Sequence, residues 1–121
     1  MKVLVADGSP TQRRIVVAML KQIGFTDTAE AEDGKQALEQ IQSGEQFDLL
    51  ITDWNMPVMS GLELVQAVRS DDSFAKLPIL MKTTRNMKQD IMTALKAGVN
   101  NYVAKPFTAA VLKEKIAKVM S

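Results

Sequence analysis

Short apolar runs alternate five times with longer amphipathic stretches along the chain. Val3-Leu4-Val5-Ala6 is apolar throughout, the pattern of a strand covered on both faces. From Thr11 the period changes. Ile15 and Met19, with Val16, Leu20 and Ile23, recur at helical spacing until Gly24 ends the segment. Thr26 to Ala31 is a weaker strand, and Asp33-Gly34 is a turn. Lys35 to Gln42 is expected to be helical, with Ala37, Leu38 and Ile41 on one side. Phe47 to Thr52 is a second strongly buried strand, closed by Asp53. Gly61 opens a helix carrying Leu62, Val65 and Val68, and Pro78-Ile79-Leu80-Met81 begins a fourth strand. A helix over Lys88 to Ala97 stops at Gly98, Asn101 to Ala104 is a short fifth strand, and Thr108 caps a last helix with Leu112, Ile116 and Val119 inward.

Strands alternating with helices across short loops predict an α/β fold, a parallel sheet with helices on both faces. Right-handed crossovers restrict its topology to few options. No linker, repeat or low-complexity segment interrupts the pattern, so residues 1–121 are expected to form one domain. Ligands of such sheets sit beyond the carboxyl ends of the strands, near the topological switch point.

Composition narrows the chemistry. Apolar residues make up 46% of the chain but aromatics only 5%, so aliphatic residues and eight Met must fill the core. Fifteen basic against fourteen acidic residues leave a net charge of +1, which argues against a dedicated nucleic-acid surface. Without Cys there is no disulfide or thiolate chemistry, and without His the usual general base and transition-metal ligand are missing. No run is long enough to cross a membrane, and a cytoplasmic location is the default expectation. Carboxylates, lysines, hydroxyls or a hard metal must do any chemistry.

The residues that close the confident strands are Asp7, Asp53, Thr83 and Lys105. Taken singly, each is an ordinary polar loop residue or cap. Together they place two acids, a hydroxyl and an amine on the edge where ligands bind. Two close carboxylates repel, and a hard cation such as Mg2+ relieves that repulsion. A lysine and a hydroxyl beside them suit a transferred phosphoryl group. Neither GxxxxGK[ST] nor GxGxxG is present, so phosphate would arrive on a side chain and not as a bound nucleotide. Asp53, closing the more central strand, is the better candidate nucleophile, and attack on a phosphorylated donor would form an acyl phosphate.

"TDWNMPVMSGLEL" (Thr52 to Leu64), "EAEDGKQAL" (Glu30 to Leu38) and "YVAKPFTAAVL" (Tyr102 to Leu112) resemble the receiver domain of bacterial two-component response regulators, in particular its single-domain chemotaxis members. The resemblance implies a doubly wound, flavodoxin-like five-stranded parallel sheet of strand order 2-1-3-4-5 flanked by five helices. It implies a phosphoacceptor at Asp53 fed by a histidine kinase, with self-catalysed transfer and loss of phosphate and no separate enzyme activity. Asp7, Asp53 and the Asn55 carbonyl would hold Mg2+. Thr83 would close on the phosphoryl group, Lys105 would pair with it beside a cis bond to Pro106, and Tyr102 would report the change to the face built by the last two helices. The implied partners are the kinase, a protein target such as a flagellar motor component, and a phosphatase; a monomer is expected.

The chain also departs from that pattern. "ADGSPT" puts Gly8 where the family carries a second acid, normally a direct Mg2+ ligand, so weaker Mg2+ binding is expected. A phosphorylation-independent interaction module is the alternative that this loss raises. A small aspartyl-phosphate phosphatase is a third reading, disfavoured because Asp53-Trp54-Asn55 lacks a second acid. Thr84 is bulkier than the residue usual at its position and would narrow access. Arg85 is placed either to approach the phosphoryl group or to be a surface charge. Lys82 is expected to lay its stem along the sheet with a solvated head, and Trp54 to be a half-exposed anchor. Lys113, Lys115 and Lys118 form a solvated helix face or a partner surface beside Tyr102.

Overall fold

The computed structural model describes residues 1–85 and 87–121. Five strands, β1 (Lys2–Ala6), β2 (Asp27–Ala31), β3 (Leu49–Asp53), β4 (Ile79–Thr83) and β5 (Asn101–Ala104), alternate with five helices. These are α1 (Pro10–Gln22), α2 (Gly34–Gln42), α3 (Gly61–Arg69), α4 (Lys88–Ala97) and α5 (Ala109–Met120). All four strand pairings are parallel, in the order β2-β1-β3-β4-β5, as expected.

Side chains alternate across the sheet and so build two cores. Leu4, Ala6, Leu50, Ile79 and Met81 pack with Leu64, Val65 and Val68 of α3. Val3, Val5, Leu49, Ile51 and Leu80 pack with Val16 and Leu20 of α1 and Leu112 and Ile116 of α5. Burial on both faces explains why β1, β3 and β4 read as continuous apolar runs. Helix starts follow local chemistry: Ser9, Asp33, Ser60 and Thr108 each accept a first-turn backbone N–H, and Ser60 with Glu63 closes a capping box.

Several expectations need correcting. Of the apolar residues at helical spacing in α1, Ile15 lies outside the buried stripe and is 42% exposed, because Arg13, Val16 and Leu20 form that stripe. Trp54 is buried, not half-exposed, because its indole packs into the α3-side core. β3 begins at Leu49, two residues after Phe47; Asp48 is instead tied to β1, its N–H donating to Lys2 O at 2.9 Å. Lys82 has no solvated head: it is wholly buried.

Candidate functional site

Strand register creates the site. Val5 and Ala6 pair with Ile51 and Thr52, and Asp53 pairs with Lys82. Asp7 follows the last β1 pair directly, so Asp7, Asp53 and Lys82 are lateral neighbours across β1, β3 and β4. All three continue the alternation of Val3 and Val5, of Leu49 and Ile51, and of Leu80, which places them on the α1 and α5 side of the sheet.

Asp7 is 2% exposed. Its Oδ1 accepts the Ser9 N–H at 2.9 Å, and its Oδ2 accepts a buried hydrogen bond and ion pair from Lys82 Nζ. Asp53 is 8% exposed at the end of β3. Its Oδ1 accepts the Trp54 N–H at 2.8 Å and its Oδ2 accepts from Lys105 Nζ at 2.6 Å. Burial pushes the Lys82 pKa below the ordinary lysine value, and the bond to Asp7 opposes that shift.

The lysine on the opposite rim is set by β5. Lys105 N–H donates to Thr83 O at 2.9 Å, and the Lys105–Pro106 peptide is cis. Thr83 is buried, and its Oγ1 accepts the Arg85 N–H at 2.9 Å. The Arg85 guanidinium lies over the Trp54 ring, 4.8 Å from its centroid, and 3.7 Å from Asp90. Arg85 is therefore engaged with an indole and an acid on the loop after β4.

A cavity of about 740 Å³ opens over the acids, lined among others by Asp7, Gly8, Asp53, Asn55, Thr84 and Lys105. These sequence-predicted residues come together. Thr83, Trp54, Arg85 and Tyr102 are not part of that lining; Tyr102 lies on β5, half-buried, with the Lys115 amine 5.2 Å from its ring centroid.

Two participants escaped sequence reasoning. Lys82 reads in the sequence as a stem on the sheet with a solvated head, yet it stands next to Asp53 in the register and two residues beyond Leu80 on the same face. Arg13 is buried, its Nη1 donating to the Asp7 carbonyl at 2.7 Å and its Nε to Glu30 at 3.2 Å. Its signal was its place on the stripe it shares with Val16 and Leu20.

The Mg2+ that the family resemblance implies would have to draw on donors that are already engaged. All four carboxylate oxygens of Asp7 and Asp53 already accept a bond from the protein, two of them from ammonium groups. No cluster of three or more acidic, His or Cys ligands occurs among the described residues. A Cβ on Gly8 would come within 2.9 Å of Pro57 Cδ, so the Pro57 ring stands close against the point from which any side chain at this position would start. As it stands, this arrangement does not fit a divalent cation.

Among the described residues no helix is long and apolar enough to cross a membrane. The model of the response regulator receiver domain matches residues 3–117. The chain is 53% identical over 119 residues to the chemotaxis protein CheY of Pseudomonas aeruginosa, covering 98% of this chain and 95% of that one. It is 52% identical to CheY1 of Helicobacter pylori over 120 residues, covering 99% and 97%. The solved structure of CheY4 of Vibrio cholerae superposes with a TM-score of 0.90 at 36% identity, covering 98% and 97% of the two chains. The receiver domain of the sensor histidine kinase PA1611 of P. aeruginosa, solved with magnesium coordinated in its active-site cleft, superposes with a TM-score of 0.88 at 26% identity, covering 98% and 96%. By family match, full-length identity and fold, the chain belongs to the response regulator receiver domains, among relatives that are chemotaxis regulators.

Proposed function

We propose that the chain is a phosphorylation-activated regulator of a chemotaxis-type two-component system. A histidine kinase transfers a phosphoryl group to Asp53, and the phosphorylated form changes its binding to a protein target such as a flagellar motor component. The observation that carries this reading is the Asp53 carboxylate itself, fixed by the Trp54 N–H and the Lys105 amine in the lining of the cavity. A carboxylate held by one cation and open on one side is a positioned nucleophile.

Lys105 follows the transferred charge from carboxylate to phosphoryl oxygen, and Thr83 turns its hydroxyl from the Arg85 N–H toward the new group. Tyr102, on the strand that pairs with β4, carries the change to the surface of α4 and α5. Thr84, Trp54 and Arg85 tune access and the loop after β4. Metal binding is a general feature of receiver domains; here Gly8 stands beside Asp7 and Lys82 occupies the Asp7 carboxylate, so Asp7, Asp53 and the Asn55 carbonyl are not a preformed Mg2+ site. Transfer and loss of the phosphoryl group are self-catalysed, a phosphatase is a further partner, and the receiver domain over residues 1–121 acts as a cytoplasmic monomer. A phosphorylation-independent module finds no support among these relatives.

The test is phosphotransfer from an autophosphorylated chemotaxis histidine kinase, read by intact mass. One phosphoryl group should appear on the wild-type chain and none on Asp53→Asn. Absence of transfer from the kinase and from small-molecule donors alike would overturn the reading.

A further inference from the structure

The loss of an acid at Gly8 and the burial of a lysine at Lys82 are two halves of one change. A buried lysine is costly unless it is paired and hydrogen-bonded. This one lies beside the proposed nucleophile in the register, with its amine on Asp7, the carboxylate that would otherwise face a metal. The site thus holds two carboxylates and two ammonium groups and is neutral by itself. A second acid and a divalent cation together carry one positive charge; Gly8 and the Lys82 ammonium carry the same. The substitution keeps the charge and removes the need for an ion from solution.

We infer that the Lys82 ammonium replaces the divalent cation of this receiver, so that phosphorylation of Asp53 proceeds without metal. This rests on the reading of Asp53 as phosphoacceptor. With an acyl phosphate donor, an Asp53 oxygen forms the new bond to phosphorus as the donor's acyl oxygen–phosphorus bond breaks. The donor leaves as a carboxylate with the bonding pair, and no proton is taken up. Lys105 bonds the Asp53 carboxylate directly, and Lys82, beside Asp53 in the register and held on Asp7, adds its charge from the β4 side; the two charges offset that of the equatorial oxygens, the part a hard cation plays elsewhere. Asp7 positions the Lys82 amine, and Arg13 in turn holds the Asp7 backbone.

Acetyl phosphate serves as the probe, with adduct formation followed by intact mass in EDTA and in Mg2+. The wild-type rates should agree within about threefold, because the cation is part of the chain. Titration with Mg2+ or Mn2+, followed by Trp54 fluorescence, should show no saturable change up to about 20 mM. Lys82→Met should slow the metal-free reaction about a hundredfold and make it responsive to Mg2+, since Asp7 is then free to bind metal. If that variant does not fold, the two wild-type rates decide alone. A wild-type adduct that forms only with Mg2+ overturns the inference and leaves the proposed function standing. No adduct under any condition, from acetyl phosphate or kinase, overturns both.

Discussion

Gly61 is pressed so closely against Asp53 that a Cβ on the glycine would overlap the Asp53 carbonyl oxygen. The Gly61 N–H, in the same turn, donates to Trp54 O at 2.7 Å. The first residue of α3 thereby fixes the backbone on which Asp53, the proposed phosphoacceptor, stands. Gly61→Ala should destabilise the protein by about 2–3 kcal/mol, as overpacking against main chain does. Urea unfolding would show a lower midpoint at unchanged slope. Phosphorylation of the folded fraction should also slow, because the Asp53 carboxylate is displaced.

The same loop contains Val58 at φ +68°, a β-branched residue in the left-handed region, with 75% of its surface exposed. Little packing is lost by removing the side chain, whereas the steric penalty of that conformation is about 1–2 kcal/mol. Val58→Gly should therefore stabilise the protein by about 1 kcal/mol, after the entropy cost of glycine in the unfolded chain. A rise in the thermal midpoint with unchanged phosphorylation is the expected result.

Arg69 is the knot at the opposite end of the sheet. Its guanidinium donates to the carbonyls of Gly98, Phe74 and Ala75 and to Asn100 Oδ1, at 2.9 to 3.2 Å. Arg69→Met keeps the stem but strands those acceptors, and about 2–3 kcal/mol of stability should be lost. Native-state hydrogen exchange should quicken first in the Gly98 to Asn100 turn.

Asp7→Asn leaves the Lys82 ammonium buried opposite a neutral amide. Breaking a buried pair by removing one charge costs about 3–5 kcal/mol. Asp7→Asn combined with Lys82→Met should recover most of that loss. A double-mutant cycle on chemical denaturation measures the coupling, and simple additivity would show that the pair is not coupled.

Arg85 links the loop after β4 to two reporters, its N–H bonded to Thr83 Oγ1 and its guanidinium stacked on Trp54. A Thr83 hydroxyl drawn toward a phosphoryl group releases that N–H, and the stack should shift with it. Phosphorylation should change Trp54 emission in the wild type and change it by less than half as much in Arg85→Ala. An equal change in both would separate the indole from the switch.

The sheet was legible because β1, β3 and β4 are buried on both faces and show it as unbroken apolar runs. The acids were legible because they end those runs. Lys82 is hard to read for the same physical reason: a lysine inside such a run is usually a stem on the surface, and only the fold, which brings Asp7 within its reach across β3, supplies its buried partner. The spacing of Ile15 to Met19 does not by itself tell which face is inner, because it is as helical as that of Arg13 to Val16. Hydrophobicity alone could not say that the arginine takes the inner stripe. Trp54 follows a site residue in the chain, but alternation points it into the other core.

β1 and β4 are not neighbours in the sheet; both lie against β3, one on each side. The bond from Lys82 to Asp7 therefore passes over the end of β3 and straps its two flanking strands together across the strand that bears Asp53. Whatever pulls the amine off Asp7 slackens that strap. The slack is delivered to β4, one residue before Thr83, at the root of the loop that carries Thr84 and Arg85. On the proposed reading of Asp53, a charge arriving there meets this strap, and β4 is the strand to which a change in it would pass.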